Sequence, residues 1–340
     1  MIRSAISLGV SPREPLRNTI NLAQAAERLG FEALWYIDFQ LGMKDVYAAM
    51  TLAATATTKT FIGPSVTNLV TRHPTVSANA MTALDELTDG RAMLGLGSGW
   101  SAVYGAGGRP SKLQELADGI DEIRQLWSGA VVDLYGNQTQ LKTARRQIPI
   151  YVAASQPGML RLAGAKADGV ILMGAADPDF CRWQLDHIYE GVASAGRDRS
   201  ELTIDLMVTM SCREDDDAAL ADVRAWATSQ AATFKPWKAM PPGWERFRSE
   251  FTAASEQYHL VDHLSLHAEH KTVVSDEFTR SVAIAGDEST CVRRLIELVD
   301  LDIDRVTFAL LSGGRLARME QIATRILPAV SAATRSTTNG

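Results

Sequence analysis

Gly90-Arg91-Ala92-Met93-Leu94-Gly95-Leu96-Gly97-Ser98-Gly99-Trp100 is the stretch that decides the fold. A short apolar run leads into alternating glycines and small residues, closed by an aromatic. Glycine at every second position lets the backbone pass close to a flat ligand and adopt positive φ at little steric cost. A strand that ends this way belongs to the α/β enzymes, whose ligands sit at the carboxyl ends of parallel strands.

On either side of this stretch, β-rich apolar runs alternate with helical periodicity. Strands are expected at residues 2–10, 33–37, 61–67, 92–96, 148–154, 169–173, 203–210 and 305–310. Helices are expected at 15–29, 46–57, 74–87, 113–127 and 316–330, stopped by signals such as Gly30 and Asp89-Gly90. Eight strands interleaved with helices predict an α/β fold, a (β/α)8 TIM barrel, in preference to a doubly wound sheet. Residues 1–330 are read as one barrel domain and 331–340 as a flexible tail. Two segments break the alternation. Residues 131–137 suggest a short hairpin before the fifth strand. Residues 234–278, rich in Trp, Phe, Tyr and His, form a lid-like insertion after the seventh strand and helix.

The chain has 340 residues, 46% hydrophobic and 22% charged, enough for a large core. A net charge of −6, with no basic stretch interleaved with aromatics, speaks against nucleic-acid binding. The apolar start before Pro12 and Glu14 is too short for a secretion signal, and no apolar run nears the roughly 20 residues of a membrane span. Cys181, Cys212 and Cys291 stand singly, without metal or redox spacing. A cytoplasmic protein is expected. A homodimer or higher homo-oligomer is expected; the alanines at 48, 49, 53 and 54 would permit close helix contact, between subunits or equally within the chain.

The residues just after each strand form a consistent set: Asp38 after the second, Ser65-Val66-Thr67-Asn68 at the third, Gly97-Ser98-Gly99-Trp100 after the fourth, and Ala154-Ser155-Gln156-Pro157 after the fifth. The last of these opens a helix whose first N–H groups would favour a phosphate, or is equally a helix start capped by Ser155. Gly95-x-Gly97 imitates a dinucleotide fingerprint, but Trp100 occupies the third glycine position and Pro110 interrupts the helix. His259, His263, His267 and His270 fall on one face of a helix. Without the glutamate of a zinc-protease motif they are read as a solvated or substrate-facing set, and no metal is expected; His259 and His263 are candidate proton donors.

These residues resemble the luciferase-like monooxygenase superfamily, and within it the deazaflavin-dependent branch that includes methylenetetrahydromethanopterin reductases. The resemblance rests on Gly63-Pro64-Ser65-Val66-Thr67-Asn68 with Thr71-Arg72-His73-Pro74, and on Leu84-Asp85-Glu86-Leu87-Thr88-Asp89-Gly90-Arg91 leading into Leu94-Gly95-Leu96-Gly97-Ser98-Gly99. A third block is Pro149-Ile150-Tyr151-Val152-Ala153-Ala154, followed by Ala163-Gly164-Ala165-Lys166-Ala167-Asp168-Gly169-Val170. The resemblance implies a non-prolyl cis peptide at Ser65–Val66, in a bulge behind one face of a flavin or deazaflavin ring. It implies Asp38 near the polar edge of that ring, Thr67 and Asn68 beside it, Gly97, Ser98 and Gly99 along the ribityl chain or ring edge, and Ala154, Ser155 and Gln156 at the phosphate.

Two departures narrow the chemistry. Asp38 is followed by Phe39 where the family often has His, and Trp100 stands where the family's sugar-phosphate dehydrogenases carry an acidic residue. Both speak against His-assisted alcohol oxidation, and Trp100 suggests an aromatic wall for a planar or apolar substrate. The expected function is therefore hydride transfer between coenzyme F420 and a small organic substrate, by reduction of an imine, an iminium or a conjugated double bond. An FMN-dependent monooxygenase is the alternative. Arg72, Lys142, Arg145 and Arg146 are candidate cations for the longer anionic tail of the deazaflavin. A barrel that binds a ligand without turnover is a third reading, since fold does not fix function.

Overall fold

A computed structural model describes residues 2–257, 273–310 and 314–338. From the amino terminus run β1 (Arg3–Leu8), α1 (Asn18–Arg28), β2 (Ala33–Tyr36), α2 (Val46–Ala56), β3 (Phe61–Pro64) and α3 (Pro74–Leu87). Next come β4 (Leu94–Leu96), α4 (Trp100–Gly105), α5 (Leu113–Trp127), the hairpin β5 (Val132–Leu134) and β6 (Asn137–Thr139), β7 (Ile150–Ala154), α6 (Pro157–Lys166), β8 (Gly169–Leu172) and α7 (Pro178–Ser194). The chain continues through β9 (Thr203–Val208), β10 (Met210–Cys212), α8 (Asp216–Phe234), α9 (Arg248–Gln257), α10 (Asp276–Val282), β11 (Ile284–Gly286), α11 (Glu288–Val299), β12 (Arg305–Leu310), α12 (Arg315–Gln321) and α13 (Leu327–Thr338).

Eight parallel strands pair in the order β3-β2-β1-β12-β9-β8-β7-β4, the ring of the expected (β/α)8 barrel. The two ends of that order close on each other through single bridges, Ile62 to Ala92 and Thr67 to Leu96. Four backbone hydrogen bonds stitch the seam: Ile62 N–H to Arg91, Met93 N–H to Ile62, Thr67 N–H to Gly95 and Gly97 N–H to Thr67, each 2.9–3.0 Å. A Cβ on Gly63 would lie 2.1 Å from the Met93 carbonyl oxygen, and one on Gly95 would lie 2.1 Å from that of Pro64. Only glycine fits at both places. The expected third strand ends early, at Pro64, because the bulge at 65–66 interrupts the ladder.

The barrel interior is packed rather than open. Trp35, Met93, Tyr151, Ile171 and Met207 fill it, with Ala5, Ala33 and Ala309 making room for them. Inside sits a buried ion pair: Arg305 Nε donates to Asp205 Oδ2 at 2.8 Å, and Trp35 Nε1 donates to the same oxygen at 3.0 Å. Thr307 Oγ1 donates to Asp205 Oδ1 at 2.6 Å, so both carboxylate oxygens have partners.

Local signals account for the helix ends. Pro74 occupies the first turn of α3, and the chain leaves that helix through Asp89 and Gly90, both at positive φ. The hairpin turns on Tyr135 and Gly136, again at positive φ. Ala49, Met50, Ala53 and Ala54 of α2 are buried within this chain, where α2 packs between α1 and α3, the internal packing that an alanine-rich face also allows. The chain beyond residue 330 continues as α13 to Thr338. No helix among the described residues is long and apolar enough to cross a membrane.

At the amino end of the barrel, Glu27 of α1 holds the turn before β3. Its carboxylate accepts the backbone N–H groups of Thr58, Lys59 and Thr60 at 2.9, 2.7 and 3.0 Å. Partial burial pushes the carboxyl upward, but these donors outweigh it and bring it from 4.5 down to about 2. A depressed folded-state value stabilises the fold above the unfolded value of 4.5 and loses that contribution as pH falls towards 2. Glu27→Gln should cost about 1 kcal/mol at pH 7. The gap from the parent should narrow as pH is lowered from 5 to 3, read by urea unfolding at each pH.

Candidate functional site

A cavity of about 400 Å³ opens at the carboxyl ends of the barrel strands. Along one side lie Ser65, Val66 and Asn68 after β3, Gly97, Ser98 and Gly99 after β4, and Ala153, Ser155 and Gln156 at the end of β7. Ser7, Met207 and Ala309 form its floor, and Asp38, Phe39 and Trp100 reach it from the loops after β2 and β4. A larger groove, about 520 Å³, runs outside the barrel between β10 and α12. Two of its arginines, Arg213 and Arg318, share Asp222, and it is lined by none of the residues that follow β2, β3, β4 or β7, so the smaller cavity is the candidate site.

The Ser65–Val66 peptide is cis, as the resemblance implied. Val66 presses towards β4: a Cβ on Gly97 would lie 2.7 Å from Val66 Cγ2. The glycines of the opening motif therefore act in two ways. Gly95 and Gly97 yield space to the third strand, while Gly99, at φ +88°, turns the chain into α4. A Cβ on Gly99 would also strike the Asn68 side chain at 2.8 Å.

Asp38 is buried and locked. Arg72 grips both of its oxygens, Nε to Oδ2 at 2.7 Å and Nη2 to Oδ1 at 2.9 Å, and Thr67 Oγ1 donates to Oδ2 at 2.7 Å. The guanidinium also lies 4.8 Å above the Tyr47 ring and 3.3 Å from Asp45. The hydrogen bond to Asp38 holds Arg72 above its ordinary value, although its burial works the other way. Asp38 thus reaches the cavity as half of a neutral pair.

Other expected residues fall differently. Thr67 is fully buried and supports Asp38 instead of facing the cavity. Asn68 lines the cavity, but its Oδ1 accepts from Val70 N–H, Thr71 N–H and Thr71 Oγ1, closing the turn after β3. Ala154 points into the packing between barrel and helices, and its neighbour Ala153 faces the cavity. Ser155 does not cap α6: the cap position is Gln156, with no side-chain cap bond, and its amide donates to the Ala239 carbonyl. Trp100 begins α4 and stands in the wall as expected, edge-on to Tyr104. The four histidines, including His259 and His263, lie outside the described residues.

The cations suggested for an anionic tail are engaged elsewhere. Arg145 pairs with Glu86 and Arg146 with Asp85 on the segments that precede β4 and β7, at the amino end of the barrel. Lys142 binds Gln140, and Arg72 is held by Asp38. Sequence spacing gives basic residues but not the end of the strand on which they lie.

The insertion after α8 is mainly a core of its own. Phe234, Trp244, Phe247, Phe251 and Phe278 pack with Phe180 of α7, and only Pro236 and Trp237 of its described residues reach the cavity. Sequence reading missed Met159, Met173 and Met207 and the face of α8 that carries Trp226, Ser229, Gln230 and Thr233. The spacing of that face, at i, i+3, i+4 and i+7, was the available signal.

A parallel barrel with a ligand cavity at the carboxyl ends of its strands, walled by a bulge and glycine-rich turns, defines an α/β-barrel enzyme. The sequence model of the luciferase-like monooxygenase family matches residues 1–305, and this chain belongs to that family. It is 28% identical over 302 residues to the 5,10-methylenetetrahydromethanopterin reductase of Methanolobus tindarius, covering 87% of this chain and 90% of that one. It is 31% identical to the F420-dependent glucose-6-phosphate dehydrogenase of Microbacterium testaceum over 59% of this chain and 66% of the other. The solved coenzyme F420-dependent tetrahydromethanopterin reductase from Methanopyrus kandleri superposes with a TM-score of 0.78 at 23% identity, covering 96% and 99% of the two chains.

Two outcomes are expected. Gly97→Ala should overpack the seam against Val66 and cost about 1–3 kcal/mol in urea unfolding. Adding Val66→Ala should recover most of that loss, and an unchanged double variant would remove the proposed contact. Asp38→Asn should cost about 3 kcal/mol by leaving Arg72 half-buried without its carboxylate. A double-mutant cycle with Arg72→Ala reads that coupling directly.

Proposed function

We propose that this protein is an oxidoreductase that transfers hydride between coenzyme F420 and a small, weakly polar organic substrate. The observation that carries the reading is the cavity at the strand ends, bounded by Ser65 and Val66, with an uncapped helix at one end and no free charge among its described lining residues. The F420-dependent relatives support the same choice.

The residues present suit the coenzyme. Ser65 Oγ is buried without a partner, a polar atom available to a ring substituent. Val66 backs one face of the ring, and Asn68 with Gly97, Ser98 and Gly99 borders its edge. Ser155 and Gln156, at the start of α6, receive the phosphate, where backbone N–H groups favour an anion. Lys112 follows Ser111, whose N–H donates to the Ser98 carbonyl, and Lys238 precedes Ala239, the partner of Gln156. Both lysines are exposed and form no ion pair among the described residues, so they replace the four cations considered from sequence as guides for the anionic tail.

When bound, the coenzyme supplies hydride chemistry at C5 of its ring. The protein's part is to hold one ring face against Val66, to keep water from the other with Trp100, Trp237 and the three methionines, and to align the acceptor. The Asp38–Arg72 pair fixes the loop after β2 and contributes no net charge. Leu41, Val70 and Tyr104, exposed around the 103–108 turn, are the surface on which we place a homo-oligomer contact. The three cysteines are free thiols, which suits the cytoplasm.

Titrating the protein with F420 and, separately, with FMN decides the cofactor. Saturable quenching of F420 fluorescence at micromolar concentration, with FMN at least tenfold weaker, is expected. The reverse order would move the protein to the FMN-dependent monooxygenases of its family.

A further inference from the structure

We propose that the inward face of α8 is a substrate-recognition stripe, and that its substrate is an uncharged, planar, conjugated carbonyl compound whose oxygen accepts hydrogen bonds from Trp226 and Gln230. The assignment rests on the hydride-transfer reading above and selects among the acceptors that reading allows.

The strand order places the stripe. In a ring of eight, β9 lies four places from β3, directly across the barrel. The chain leaves β9 through β10 into α8, so the helix brings its face to the cavity from the side opposite the Ser65–Val66 bulge. A ring lying on that bulge would present its free face to α8. Trp226, Ser229, Gln230 and Thr233 follow one another on a single helix face, and all four line the cavity. Buried alanines at 219, 225, 227, 231 and 232 occupy much of the rest of the helix.

The polar groups of this face are largely uncommitted. Trp226 Nε1 is buried with no acceptor. Ser229 and Gln230 are 2% and 7% exposed, and neither side chain has a hydrogen-bond partner among the described residues. Only Thr233 is engaged, donating to the Gln230 carbonyl. Trp226 Nε1 is thus a buried donor without an acceptor, and with the uncommitted Ser229 and Gln230 side chains on the same face of the cavity it points to a ligand oxygen that completes the set.

Charge narrows the ligand further. The only ionisable side chain among the described lining residues is Asp38, and both of its oxygens are occupied. Among these described residues a phosphorylated or carboxylate substrate finds no counter-ion, and an iminium cation no free carboxylate. Trp100 and Trp237 make the remaining surface suited to a flat, apolar body.

The donors also discriminate between reactions. An indole N–H and a carboxamide N–H hydrogen-bond strongly but do not release protons. They suit a reaction in which charge gathers on oxygen without immediate proton transfer to it. In conjugate reduction, hydride from the reduced deazaflavin forms the new C–H bond at the β-carbon, and the coenzyme is oxidised by two electrons. The C=C pair shifts to give an enolate, whose oxygen Trp226 and Gln230 hold. A proton from water then adds at the α-carbon and the carbonyl is restored. Direct reduction of a carbonyl or an imine would instead need an acid at the heteroatom.

The test uses the full-length protein with three probes: benzylideneacetone (a neutral conjugated ketone), cinnamate (its anionic counterpart) and cinnamylamine (a cation without the carbonyl). Ligand-observed NMR measures affinity for the protein alone and for the protein with oxidised F420. Benzylideneacetone should bind at least tenfold more tightly than either charged probe. Trp226→Phe and Gln230→Leu should each weaken it about five- to tenfold, the loss of one hydrogen bond, while F420 affinity stays constant. With reduced F420 deuterated at C5, deuterium should appear at the β-carbon of the saturated ketone. Equal binding of the charged probes, or unchanged benzylideneacetone affinity in both variants, would overturn the assignment even if F420 binds normally. Failure of F420 to bind would sink the hydride-transfer reading separately, with the NMR affinities still judging the stripe.

Discussion

Everything at the mouth of this barrel depends on how closely β3 and β4 approach one another. Their backbones meet where Gly63 faces the Met93 carbonyl and Gly95 faces that of Pro64, at a separation that excludes even a methyl group. The contact closes the ring of strands through two bridges instead of a continuous ladder. The gap between those bridges is the space the Ser65–Val66 bulge occupies. Barrel closure and ligand wall are consequently one construction: the glycines that allow the first also leave room for Val66 in the second.

The same economy governs charge. Asp38, which reaches the cavity, is neutralised by Arg72 before any ligand arrives, and Thr67 and Tyr47 complete the shell around the pair. Deeper in the barrel, Asp205 and Arg305 are matched with Trp35 and Thr307. In both places a buried ion is tolerable because each carboxylate oxygen has a donor. The result is an interior with strong local fields held inside closed pairs, leaving the open volume electrically quiet.

How much of this was readable in the sequence depended on period and sign. The eight strands and most helices were legible because apolar runs alternated with 3.6-residue periodicity and were stopped by residues such as Pro74 and Gly90. The bulge was legible only through resemblance, since nothing in Ser65-Val66 itself announces a cis bond. Side-chain direction was the main loss. Thr67 and Ala154 sit one residue from cavity-facing neighbours, and in extended chain one step changes the face. Arg145 and Arg146 were legible as basic but not as lying before a strand rather than after it. The stripe on α8 was overlooked because Ser, Gln and Thr on an alanine-rich helix read as a solvated face until the fold turns that face inward.

The packed barrel floor has a kinetic consequence. With Trp35, Tyr151 and the Asp205–Arg305 pair sealing the lower half, no passage runs through the barrel axis among the described residues, so water and every guest come and go at the carboxyl-end mouth. Entry and departure share that end, and whatever sits nearest the rim must leave before anything beneath it.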